Sequence, residues 1–151
     1  MNKLKIGDTA PAIKSKDQDD NDFDLLEFKG KKVVLYFYPK DDTPGCTKEA
    51  CNLRDNYKLL QERGYEVVGV SADTAMKHQK FIAKYDLPFN LLVDEDKKVI
   101  NDYEAWGLKK FMGKEYEGII RKTFVIDENG IIEDIIEKVK TKDHTEQIIT
   151  D

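Results

Sequence analysis

The stretch Val33-Val34-Leu35-Tyr36-Phe37-Tyr38-Pro39-Lys40-Asp41-Asp42-Thr43-Pro44-Gly45-Cys46-Thr47-Lys48-Glu49-Ala50-Cys51 decides how the chain is read. Its first six residues are all β-branched, leucine or aromatic. A run that is apolar on both faces reads as a central strand of a covered sheet. Pro39 cannot donate to a strand ladder and ends it. Thr43 is a good N-cap, and Pro44 then falls at the first helical position, where a missing N–H is harmless. The spacing predicts a helix over 44–63, stopped by Gly64. A buried strand feeding a helix through a short loop belongs to an α/β sheet, and ligands gather at that end of the strand.

Working outward, 65–70 is predicted as a strand, 74–85 as a helix, 89–93 as a short strand and 97–104 as a helical turn. Residues 122–127 and 131–136 flank Glu128-Asn129-Gly130, a hairpin signature. Residues 143–150 read as a short closing helix. The acidic run over 17–22 suggests a solvated hairpin turn. It mimics the start of a calcium loop, but Asp22 replaces the required glycine and Phe28 stands where the bidentate Glu belongs. The order of elements predicts an α/β sandwich with a mixed sheet flanked by helices. With neither repeat nor linker, 1–151 is expected to form one domain.

Composition narrows the function. The net charge of −5 argues against a nucleic-acid grip or an anionic membrane surface. The first seven residues lack the apolar stretch of a secretory signal, and the expected compartment is the cytoplasm. Two cysteines five residues apart cannot brace a secreted scaffold, and with two distant histidines they make a poor zinc site. No metal and no cofactor is called for. A disulfide between cytoplasmic thiols would be transient rather than structural.

Capping and helical phase make the two cysteines unequal. Cys46 falls in the first helical turn, where free N–H groups and the positive end of the macrodipole favour a thiolate. Cys46, Ala50, Leu53, Tyr57 and Leu60 follow a 4-3-4-3 spacing and share the face that packs on the sheet. Cys51 is rotated from Cys46 by about 140° and displaced by about 7.5 Å along the axis. On an intact helix their Cα atoms stand about 8–9 Å apart, beyond the roughly 7 Å limit of a disulfide. They can bond only if the start of the helix unwinds.

These residues resemble the peroxiredoxins. Pro39-x-x-x-Thr43-x-x-Cys46 is similar to that family's active-site signature, and Cys51 to the bacterioferritin-comigratory (peroxiredoxin Q) branch. Gly7-Asp8-x-Ala10-Pro11, Gly69-Val70-Ser71-x-Asp73 and Arg121-x-Thr123-Phe124-Val125-Ile126-Asp127 extend the resemblance along the chain. It implies a thioredoxin-like fold with an N-terminal hairpin extension and thiol-dependent reduction of hydrogen peroxide and organic hydroperoxides. Cys46 is then the peroxidatic cysteine and Cys51 the resolving one, with thioredoxin or a similar dithiol as reductant. Thr43 would donate toward the thiolate or peroxide, Arg121 would hold both, and Pro39 would shield the pocket. A monomer is expected ahead of a dimer, as the resemblance to that branch implies and as fits a resolving cysteine on the same chain.

Other residues draw plainer readings. Glu49 matches a family glutamate, although an exposed carboxylate near the helix N-terminus fits equally well. His78, among Lys77, Gln79 and Lys80, is read as solvent-facing, and His144 as an incidental surface residue. Trp106 is expected to pack near a rim. The basic run over 138–142 is too short for a nucleic-acid site on an acidic chain. Two competing functions stand beside the peroxidase: a thioredoxin-type thiol–disulfide oxidoreductase, which would want Cys-x-x-Cys, and a redox sensor.

Overall fold

The computed structural model describes residues 3–150, so the outermost positions of the expected 1–151 domain lie outside the described residues. The decisive run forms β3 (Lys32–Phe37). Two strands precede it, β1 (Lys14–Lys16) and β2 (Asp22–Asp24), joined by the acidic turn as an antiparallel hairpin. After it come α1 (Pro44–Asp55), α2 (Tyr57–Glu62), β4 (Tyr65–Ser71), α3 (Ala75–Tyr85), β5 (Asn90–Val93) and α4 (Lys98–Asp102). The chain closes with β6 (Trp106–Phe111), β7 (Lys114–Ile119), β8 (Lys122–Ile126), β9 (Ile132–Ile136) and α5 (His144–Ile148).

Seven strands make one mixed sheet in the order β2-β1-β5-β4-β3-β8-β9. β3, β4 and β5 run parallel, while β8 and β9 add antiparallel on one side and β1 and β2 on the other. β3 is the hinge of this arrangement, parallel to β4 and antiparallel to β8. Its alternate residues feed two cores. Val33, Leu35 and Phe37 pack with Val68, Val70, Tyr103 and Phe124 on one face. Val34 and Tyr36 join Cys46, Ala50, Leu53 and Leu60 on the other. Burial on both faces explains why the run carries no polar alternation.

Two departures from the sequence reading have local causes. The single helix expected over 44–63 breaks at Asn56, whose backbone leaves helical values (φ −111°, ψ 12°). The Asn56 side-chain amide donates to the Asn52 carbonyl at 2.8 Å, alongside the backbone bond to the same carbonyl. Asn competes with helical backbone pairing in this way. The second departure is the β6–β7 hairpin, where sequence periodicity assigned no element. Its turn, Met112-Gly113, has positive φ at both residues (51° and 79°). That geometry is normally announced by Asn-Gly or Asp-Gly, so a methionine there hides it.

Candidate active site

Cys46 sits in the first turn of α1, beyond the end of β3 across the loop Pro39–Thr43, and is 1% exposed. The helix starts at Pro44 with Thr43 as its N-cap residue, as the sequence predicts. The cap is not made by the side chain, however. The Thr43 hydroxyl donates to the Lys40 carbonyl at 2.9 Å instead of accepting from the helix, which fixes the loop bend and leaves the first N–H groups without a side-chain cap. The positive end of the helix dipole thus lies at the turn that carries Cys46, with no side-chain cap on it.

Arg121, immediately before β8, reaches the same point from the neighbouring strand. Its Nη2 donates to the Cys46 Sγ at 3.3 Å and its Nη1 to Glu49 Oε1 at 2.8 Å. The planar fork thus couples a sulfur to a carboxylate. Gly45 makes room for it: a Cβ at that position would lie 3.1 Å from Arg121 Nη2. Lys109 on β6 brings a second cation toward this end. Its ammonium donates to the Ile119 carbonyl at 2.7 Å. Burial and then the nearby Arg121 charge press its pKa down.

Glu49 is fully buried, which corrects the exposed-carboxylate reading. Position 49 lies three residues after Cys46 and four before Leu53, so the helical phase that buries those two buries it as well. Burial pushes its pKa up to about 7 against the opposing pull of Arg121. His144 is also fully buried rather than superficial, with Nε2 lying 3.4 Å from Glu49 Oε2. α5 brings it there. The clasp is Asn52, which donates to the Lys142 carbonyl and accepts from the backbone and hydroxyl of Thr145.

His78 is the third misread position. It is fully buried, with Nδ1 2.6 Å from Asp41 Oδ2 and Nε2 2.8 Å from the Leu92 carbonyl. The signal was its spacing to Phe81 and Tyr85, an apolar stripe at helical period that its lysine neighbours masked. Asp41 also accepts from the Tyr38 hydroxyl at 2.6 Å, and its backbone N–H donates to Asp73, which Ser71 holds. Asp41, Asp73 and His78 lie close enough to hold a cation, but each is engaged in these bonds. Their chemistry is that of a loop anchor, holding Pro39–Thr43 so that α1 starts in place.

Pro39 is half-buried at the strand end, and Cys51 is half-buried further along α1 with its thiol free, as is that of Cys46. α1 is unbroken between them. Trp106 packs at the edge of one core with the Lys97 ammonium 5.2 Å from its ring centroid, a rim position as expected. The basic residues Lys138, Lys140 and Lys142 are exposed. Among the described residues, no helix is long and apolar enough to cross a membrane.

A buried cysteine at a helix start, with an arginine donating to its sulfur at the end of a mixed sheet, is a geometry suited to thiolate chemistry. Residues 6–135 match the AhpC/TSA family, and the chain belongs to that family, the peroxiredoxins. It is 46% identical over 149 residues to "Peroxiredoxin Bcp" of Escherichia coli K12, covering 99% of this chain and 96% of that one. The identity to "Peroxiredoxin Bcp" of Bacillus subtilis is also 46%, with 97% and 93% covered. Among solved structures, a peroxiredoxin Q of Xanthomonas campestris superposes with a TM-score of 0.84 at 30% identity, covering 90% of this chain and 86% of that one. Peroxidoxin BcpB of Mycobacterium tuberculosis gives 0.84 at 33%, with 95% and 93% covered. The chain is an enzyme of the peroxidase class, with a central mixed sheet of thioredoxin type.

Proposed function

We propose that Cys46 is the peroxidatic cysteine and Cys51 the resolving cysteine of a peroxidase recycled through an intramolecular disulfide. The observation that carries this is the Arg121 Nη2–Cys46 Sγ contact of 3.3 Å at the uncapped start of α1. The thiolate sulfur attacks one peroxide oxygen, the O–O bond breaks, and the leaving oxygen takes a proton as water or an alcohol. The sulfenic acid left on Cys46 is attacked by Cys51; the S–S bond forms and water leaves. A dithiol then returns two electrons and two protons, and thioredoxin is the reductant we infer.

Each neighbour has a task. Arg121 stabilises the charge that passes from sulfur to the leaving oxygen. The Thr43 hydroxyl, given to Lys40 in this state, turns toward the peroxide when substrate enters. Pro39 closes the rim beside it. Hydrogen peroxide and alkyl hydroperoxides are both substrates; the similar bacterioferritin comigratory protein of Xanthomonas campestris is described as having alkyl peroxide reduction activity. The enzyme works as a single-domain monomer over 1–151 in the cytoplasm, with no nucleic-acid or membrane partner.

Peroxide consumption with thioredoxin and its reductase tests this in wild type, Cys46→Ser and Cys51→Ser. Cys46→Ser is expected to abolish turnover, and Cys51→Ser to allow one oxidation without recycling. Fast insulin reduction without peroxide turnover would replace the peroxidase by a thioredoxin-type oxidoreductase.

A further inference from the structure

Behind Arg121 lies a buried group of side chains that the thiol chemistry does not use. Gln147 fixes the protonation pattern. Its amide oxygen accepts from the Lys140 N–H at 2.8 Å and its amide nitrogen donates to the Lys138 carbonyl at 2.8 Å, so the amide has one orientation. The reverse would set donor on donor and acceptor on acceptor. His144 Nδ1 stands 2.9 Å from that same amide oxygen, and therefore bears a proton.

In a neutral imidazole the other nitrogen, Nε2, is then bare. It faces Thr123 Oγ1 at 2.8 Å and Glu49 Oε2 at 3.4 Å. Glu49 Oε2 is buried and no hydrogen-bond donor reaches it among the described residues. The Thr123 hydroxyl can donate to the bare Nε2, but a Glu49 carboxylate would keep its Oε2 without a donor, 3.4 Å from the Nε2 lone pair, in a site where both residues are fully buried. One proton between them removes the conflict, whichever atom carries it.

We propose that Glu49 and His144 hold one proton in common and thereby set how much of the Arg121 charge reaches the Cys46 sulfur. With the proton in place the pair is neutral, and the guanidinium acts on the sulfur undiluted. When the proton leaves, a full negative charge sits 2.8 Å from Arg121 Nη1 and competes for it. Both residues act through Arg121 and are positioning residues. The other groups turned toward the pair are Cys46 on the helix of Glu49, Tyr36 on β3, whose hydroxyl has no partner among the described residues, Thr123 on β8 and Gln147 on α5. Lys109 on β6 acts on Arg121 and Cys46 from further out. Burial drives Glu49 up and His144 down, both toward a pair that is neutral overall. The inference rests on Cys46 being the reacting thiol, but its first test does not.

That test is the ring-nitrogen spectrum of histidine-labelled reduced wild type, with His144 assigned by loss of its signals in His144→Gln. A protonated Nδ1 at all pH values, with the Nε2 signal moving through one titration, is expected. A bare Nδ1 overturns the shared proton even if peroxidase activity is intact. The second test is the rate constant of Cys46 oxidation by hydrogen peroxide against pH. Wild type is expected to lose roughly three- to tenfold in rate as the pair loses its proton near neutral pH. Glu49→Gln mimics the protonated carboxyl and should lack that fall. His144→Gln, whose amide can donate to the carboxylate, should bring the fall to lower pH. An alkaline limb identical in wild type and Glu49→Gln would refute the proposal.

Discussion

At the residue scale, the site depends on one fork and the space left for it. Arg121→Lys keeps a positive charge but cannot hold Glu49 and the Cys46 sulfur together. A loss of about 10²-fold in the peroxide rate constant is expected, the cost of removing one donor to developing negative charge; stopped-flow oxidation of the reduced enzyme measures it. Gly45→Ala probes the same contact sterically, since its Cβ would stand 3.1 Å from Arg121 Nη2. The rate should fall several-fold while thermal stability is unchanged or higher, because Ala favours a helix over Gly by about 0.5–1 kcal/mol. A stability loss without a rate loss would contradict this account of Gly45. Glu49 adds a pH signature. Its folded pKa, pushed up to about 7, exceeds its ordinary value, so the native state holds that proton more tightly. Its contribution to stability is fully present at acid pH and fades as pH rises toward 7. The difference in unfolding free energy between wild type and Glu49→Gln should shift against wild type over that window. The inward place of Cys46 at a helix start was legible from cap, proline and phase, whereas the place of His144 was not, because no local pattern in 143–150 points to a partner almost a hundred positions earlier.

At the element scale, the proposed cycle gives α1 two duties that oppose one another. Intact, it presents Cys46 at its start, and Cys51 is half-buried more than a turn away on the same helix. To let the sulfurs meet, its first turns must unwind. The break at Asn56 and the Asn52 clasp on α5 mark where unwinding should stop, since both lie just beyond Cys51. Amide exchange over 43–52 is therefore expected to accelerate on oxidation while β3 and β4 stay protected. Equal protection in reduced and oxidised protein would exclude the intramolecular disulfide. The strands of the sheet were readable because burial on two faces removes polar alternation. The division of the helix and the β6–β7 hairpin were not, because an asparagine side chain and a methionine at positive φ decide them.

At the scale of the whole molecule, the proposed cycle requires the sheet to stay folded while one helix melts at its edge. Seven hydrogen-bonded strands and two cores supply that frame. The His78–Asp41 contact ties the loop before α1 to α3 and, through Leu92, to β5. Breaking a buried polar pair of this kind costs about 3–5 kcal/mol. Loss of that order is expected for His78→Ala in denaturant unfolding, along with slower peroxide reduction as the loop loosens. The central claim is that one chain performs the whole oxidative half of the cycle with Cys46 and Cys51. Mass spectrometry of the protein after one equivalent of peroxide tests it most directly. The expected product is a monomer lighter by two hydrogens, with a peptide cross-link between Cys46 and Cys51. A disulfide-linked dimer, or a sulfenic acid that persists on Cys46 beside a free Cys51, would contradict it.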